Sequence, residues 1–165
     1  MREGLTQRLY RDFADLYRQH ALPDSESLMC YGFECGDGWY DVLYEMSTKI
    51  KAAVDAEEDV EPREVAVSQV KEKLGGLRVY MSGNKVDVDG VRQALEDASR
   101  RAASTCERCG SEGSLKKNHG WLMTLCGECE ETRKANSERR LQVRQQRLKM
   151  LLKDSGVDTS ERVSL

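Results

Sequence analysis

Apolar positions along the chain recur at two different periods. Leu5, Leu9, Phe13, Leu16 and Tyr17 fall at helical spacing, predicting an amphipathic helix over Thr6–His20 that Pro23 and Asp24 end. The stretch SLMCYGFE then reads as a short extended segment, with Gly36 and Gly38 marking a turn. A second helix follows to about Ala56, with Trp39, Val42, Leu43, Met46 and Ile50 on one face and Asp37 placed to cap its first turn. After the acidic run Glu57–Glu61 and Pro62 the period changes to two. Val65, Val67 and Gln69 alternate with Ala66, Ser68 and Val70, and Leu77, Val79 and Met81 alternate with Arg78 and Tyr80. This pattern predicts a β-hairpin with Gly75 and Gly76 in its turn, where positive φ is tolerated.

Asp89 is placed to cap a third helix through Val91, Leu95, Ala98 and Ala102, which delivers the chain to Cys106. Leu115–Lys117 and Trp121–Leu125 read as two short strands joined by Asn118, His119 and Gly120. Beyond Cys129 a proline-free run predicts one long basic helix ending at Gly156, with residues 156–165 as a disordered tail. The expected fold class is α+β: a hairpin-centred sheet with packed helices over 1–105, then a four-cysteine module with a long helix over 106–155.

Composition narrows the functional classes. The 165 residues carry a formal net charge of -3, which is not the balance of a dedicated nucleic-acid coat. Charge is unevenly spread: Met1–Asn84 holds 10 basic and 16 acidic residues, whereas Lys85–Lys153 holds 15 basic and 10 acidic. No apolar run reaches the ~20 residues of a membrane span, and no signal pattern opens the chain. A cytoplasmic protein without membrane contact is expected.

Chemistry concentrates in the cysteines. Cys106 and Cys109 form one C-x-x-C and Cys126 and Cys129 another, with 16 residues between the pairs. Four thiolates so arranged suit a tetrahedral, structural Zn2+, one per chain. Knuckle, hairpin, then helix carrying the second pair is the order of a treble clef; a zinc ribbon, which lacks the helix, is the alternative. Cys30 and Cys35 read as small packed residues beside Phe33 and Trp39, since His20 and His119 are the chain's two histidines and neither is an obvious base for a reactive thiol.

Three further stretches are candidates. GFECGDGW lacks both the dinucleotide fingerprint and the lysine of a P-loop, so it reads as turn plus cap. Lys71, Lys73 and Arg78 surround the glycine turn of KEKLGGLR, a place for a phosphate or an acidic partner, beside the plain reading of a solvated hairpin tip. On the terminal helix Arg139, Arg140, Arg144 and Arg147 accompany a thin stripe of Leu141, Leu148, Leu151 and Leu152. That helix is a candidate for nucleic-acid contact or for pairing with its copy in a homodimer.

The segment WLMTLCGECEETRKA resembles the second half of HNH nucleases. Such enzymes need a histidine and an open metal position, whereas Glu130 follows Cys129 here and His119 reads as a surface residue. No complete catalytic constellation is present, and a non-enzymatic protein is expected, with a metal-dependent nuclease as the weaker alternative. Taken together, GFECGDGWYDVLYEM, VSQVKEKLGGLRVYMSG and CERCG…GWLMTLCGEC resemble an uncharacterised family of small bacteriophage and prophage proteins over roughly residues 30 to 130. The resemblance implies a viral accessory protein in the bacterial cytoplasm that binds a host protein, or a nucleic-acid-processing or defence complex. A zinc-finger regulator using the basic terminal helix is the alternative.

Overall fold

The computed structural model describes residues 1–61, 64–86, 88–118 and 120–154. The element order is α1 (Glu3–Asp12), β1 (Phe33–Glu34), α2 (Tyr40–Asp55), β2 (Ala66–Lys73), β3 (Gly76–Ser82), α3 (Asp89–Ala103), β4 (Ser114–Asn118), β5 (Trp121–Leu125) and α4 (Gly127–Asp154), with short 3-10 turns before β1 and α2. The expected α+β class is present. One compact unit spans Met1–Cys129, and a second begins at Glu130.

The first helix is shorter than its apolar period predicts. It ends at Asp12, where Phe13 leaves helical geometry at φ -134 and ψ 50. The reason is tertiary. The Leu16 carbonyl accepts from the Val67 N–H at 2.8 Å, and the Arg18 guanidinium donates to the Asp15 and Val65 carbonyls at 2.8 Å each. Carbonyls that would have continued the helix are engaged by the sheet and by Arg18, while Phe13, Leu16 and Tyr17 still reach the core. At the other end of α1 stands a second departure. Asp37 does not cap α2; it accepts from the Arg2 N–H at 2.7 Å and pairs with the Arg2 guanidinium at 2.8 Å.

Strands β2 and β3 pair antiparallel, and β1 adds two residues parallel to β2 through Phe33↔Val70 and Glu34↔Lys71. The strict alternation read from the sequence is broken by a register shift between Val67 and Gln69, which lets Val67 and Val70 both face the core. The hairpin turn is one residue earlier than the glycines suggest. Leu74 at φ 55 and Gly75 at φ 80 are its two central residues, the arrangement of a type I′ turn, while Gly76 already belongs to β3.

Helices α2 and α3 cover one side of the sheet. Trp39, Leu43, Met46 and Ile50 meet Val91, Ala94 and Ala98 there, and the small side chains of α3 let the two helices approach closely. A Cβ on Gly90 would stand 2.5 Å from the Ala53 Cβ. Asp89 is inside α3 rather than capping it: the N-cap is Val88, and Asp89 pairs with Arg92. The long helix appears as expected but starts at Gly127; its expected end at Gly156, and the tail 156–165, lie outside the described residues.

Candidate metal centre

The end of α3 feeds directly into the first knuckle. The Cys106 N–H donates to the Ser111 carbonyl at 2.7 Å and the Gly110 N–H to the Cys106 carbonyl at 2.9 Å. Gly110 sits at φ 82, so the chain reverses tightly after Cys109. The hairpin β4–β5 follows, and Cys126 and Cys129 then stand just before and inside the first turn of α4, with the Cys129 N–H directed at the Cys126 sulfur at 3.4 Å.

These turns bring the four sulfurs to within 4.8 Å of one another. Four ligands about 2.3 Å from a tetrahedral ion stand about 3.8 Å apart. The Cys109 and Cys126 sulfurs are 3.6 Å apart, close to that edge and far beyond the ~2.05 Å of a disulfide. The donor set therefore fits one tetrahedral metal ion with soft or borderline character. Among the described residues no second group of three or more potential metal-ligating side chains of this kind occurs.

In the absence of an ion the thiols differ in their electrostatics. Hydrogen bonds from the Ser111 side chain and backbone bring the Cys109 thiol down to about 6. Cys129 is pushed up, by burial first and by the neighbouring sulfurs after it. Four thiolates cannot crowd together without a cation to offset their repulsion.

The knuckle is seated on the loop quoted above as GFECGDGW. The Gly38 N–H donates to the Glu107 carbonyl at 2.8 Å, the Gly36 N–H to Glu107 Oε1 at 2.9 Å and the Trp39 indole to the Thr105 carbonyl at 2.8 Å. A Cβ on Gly36 would lie 2.2 Å from the Glu107 carbonyl oxygen, and one on Gly38 2.2 Å from that of Cys106. Those glycines serve backbone contact with the metal loop, more than a turn of their own. The seat is reachable from sequence only through the small-residue spacing beside Trp39, and Glu107, buried at its centre, gave no signal.

A second seat lies at the hairpin tip. The Thr124 hydroxyl donates to the Gly75 carbonyl at 2.7 Å, and a Cβ on Gly75 would meet Leu115 Cδ1 at 2.2 Å. The Gly75 N–H in turn donates to Glu72 Oε1 at 2.6 Å. The Gly75 amide of the turn is thus engaged internally. Lys71, Lys73 and Arg78 instead share the outer face of β2–β3, with Lys71 opposite Arg78. Lys71 donates to Gln69 Oε1 at 2.8 Å and lies 5.0 Å from the Tyr80 ring centre.

Other expected site residues are not gathered at the metal. Arg139, Arg140, Arg144 and Arg147 are exposed on α4; helical spacing puts Arg140, Arg144 and Arg147 along one flank of the exposed Leu141, Leu148 and Leu151, and Arg139 away from it. Cys35 is buried, and burial pushes its thiol up to about 12 against the opposing pull of the N-terminal ammonium, so it is a packed side chain. Cys30 is half-buried. His119, which the nuclease reading requires, lies outside the described residues. No helix among the described residues is long and apolar enough to cross a membrane. No protein-family model matches this chain, and neither a curated protein nor a solved structure resembles it significantly.

Proposed function

We propose that this chain is a non-catalytic binding protein whose four cysteines hold one structural Zn2+. The carrying observation is the cluster of four sulfurs within 4.8 Å of one another; an ion taken by all four would have no position for water or substrate. The backbone on either side of that shell is committed to holding the molecule together, at Gly36–Trp39 and at Gly75. Chemistry at the ion is thereby replaced by shape and charge at the surface.

In this reading the protein is a bacteriophage accessory factor that occupies a host protein, with a nucleic-acid-processing or defence complex as its target. The support is the sequence resemblance over roughly residues 30 to 130 and the acidic balance of Met1–Asn84, 10 basic against 16 acidic residues, which suits competition for basic surfaces. Immobilised zinc-loaded protein exposed to a bacterial lysate is expected to retain the subunits of such a complex, and a Cys106→Ser control is expected to lose them. Retention of nothing above the control contradicts the reading.

A second reading is favoured by the exposed face of α4. Arg140, Arg144 and Arg147 flank exposed leucines there, which suits duplex nucleic acid or pairing with a second copy. Duplex binding that weakens steeply with salt, and is lost on replacing those arginines, supports this alternative. Plasmid cleavage with magnesium or manganese would support the nuclease in place of both.

A further inference from the structure

We infer that the open edge of β3 binds an extended peptide segment of a partner protein, which joins the sheet as a further strand and presents a carboxylate between two apolar side chains. This rests on the binding-protein reading and names how one surface takes its partner. The sheet order β1-β2-β3 leaves both outer strands at an edge. One edge is blunted by its length, since β1 has two residues. The other is the whole of β3, Gly76–Ser82, which contains no proline, and the irregularity of the hairpin lies in β2. Long open edges of this kind are what natural sheets ordinarily guard. The turn decides which backbone groups face outward. Lys73 and Gly76 close the two-residue turn as a hydrogen-bonded pair, so Arg78 and Tyr80 also direct their backbone at β2. The N–H and C=O groups of Leu77 and Val79 therefore point away from it. The Arg78 guanidinium donates to the Leu77 carbonyl at 3.1 Å, in keeping with that outward direction. An extended peptide supplies the complementary row of donors and acceptors.

Side chains select the occupant. Beside this edge, between β3 and α3, an open groove of about 170 Å³ is lined by Leu77, Arg78, Val79, Leu95 and Ser99. It has room for an apolar side chain on the inner face of an added strand. On the outer face Glu34, Lys71 and Arg78 stand in register across the three strands. Two cations are thus adjacent, with a carboxylate on one side of them, and that carboxylate already accepts from the Gln69 amide. Arg78 forms no ion pair among the described residues. A carboxylate opposite Arg78 on the next strand completes the alternation of charge. Its neighbours along that strand then fall on the inner face, toward Leu77, Val79 and the groove. A second copy of this chain pairing through the same edge does not fit, because β3, GLRVYMS, has no acidic residue to set against Arg78.

The test titrates the full zinc-loaded, isotope-labelled chain with the capped peptide acetyl-STVEVTS-amide and follows the backbone amides by NMR. Saturable shifts are expected at Leu77 and Val79, with slower hydrogen exchange there. Of two peptides N-methylated at alternate amides, one should lose binding and the other keep it, because a strand bonds its neighbour from one side. Lysine in place of the peptide's glutamate should weaken binding about fivefold, and Arg78→Glu should reverse that preference. Ser99→Trp fills the groove from an exposed position and should weaken binding of the parent peptide. Thermal melts and zinc content check that each variant is folded. Unmoved β3 amides at millimolar peptide, indifference to the charge swap, or β3 shifts that follow protein concentration without peptide, the sign of a second copy on the edge, would overturn the inference. Any of those results leaves the protein-partner reading standing, because the lysate capture tests it separately.

Discussion

The metal knuckle and the long helix are joined through the same pair of cysteines, yet their shapes have different origins. Thr105, Glu107 and Thr124 are held by contacts distant in sequence: Trp39 to Thr105, Gly38 to Glu107, Thr124 to Gly75. From Glu130 onward α4 carries local pairs such as Lys134 with Glu130 at 2.6 Å, and Leu141, Leu148 and Leu151 are exposed. The lesson is that the contacts shaping the knuckle join segments far apart in the chain, whereas the helix draws on contacts that its own sequence supplies. Substitutions should therefore be costly at the knuckle and its seats and nearly silent along the helix.

The largest effect is expected from removing a ligand. Cys106→Ser or Cys126→Ser should abolish metal binding and remove several kcal/mol of stability, since structural zinc contributes its binding energy to folding. Hydrogen exchange should then show lost protection at Gly36–Trp39 as well as at Cys106–Cys129, while the amides from Arg139 to Leu148 keep the modest protection of an exposed helix. Acid should act similarly. Metal binding requires thiolates, so stability from the ion is present above the pH at which the bound thiols protonate and is lost as pH falls through it, which a melt series with metal analysis would follow.

Next comes the seat. Gly38→Ala forces a Cβ to 2.2 Å from the Cys106 carbonyl oxygen, and about 3 kcal/mol of destabilisation is expected in denaturant melts. Gly120→Ala is the internal contrast. Gly120 sits at φ 84 with open space around it, so only the backbone cost of about 1 kcal/mol should appear.

These contrasts mark how far the sequence could be read. The elements were legible because their apolar periods are strong: Val42, Leu43, Met46 and Ile50 are buried as the helical spacing requires, and the C-x-x-C spacing located the sulfur cluster. What escaped was whatever depends on contacts between distant segments. Leu16 and Arg18 are turned away from helix by β2, Asp37 serves the start of α1, and the glycines of GDGW serve Cys106 and Glu107. A period reports which side of an element is buried, and says nothing of which carbonyl another strand will claim. Trp121 was counted as part of a strand, and its exposure became visible only with β4–β5 in place.

Smaller effects sharpen the comparison further. Leu74→Gly should stabilise the hairpin by about 1 kcal/mol by relieving the left-handed backbone at φ 55. Leu141→Ala, on a residue that is half exposed, should change stability by no more than about 0.5 kcal/mol. A Leu141→Ala cost of several kcal/mol would mean that the helix is packed against something in solution, and the contrast between the two regions would fail.

The central claim is that four thiolates close around one ion. Native mass spectrometry of the zinc-loaded protein, paired with the absorption spectrum after cobalt replacement, tests it directly. The account predicts one ion per chain and the intense visible bands of tetrahedral cobalt bound by sulfur alone. A protein that binds no ion, or whose cobalt spectrum shows oxygen or nitrogen ligands with a bound water, would contradict it.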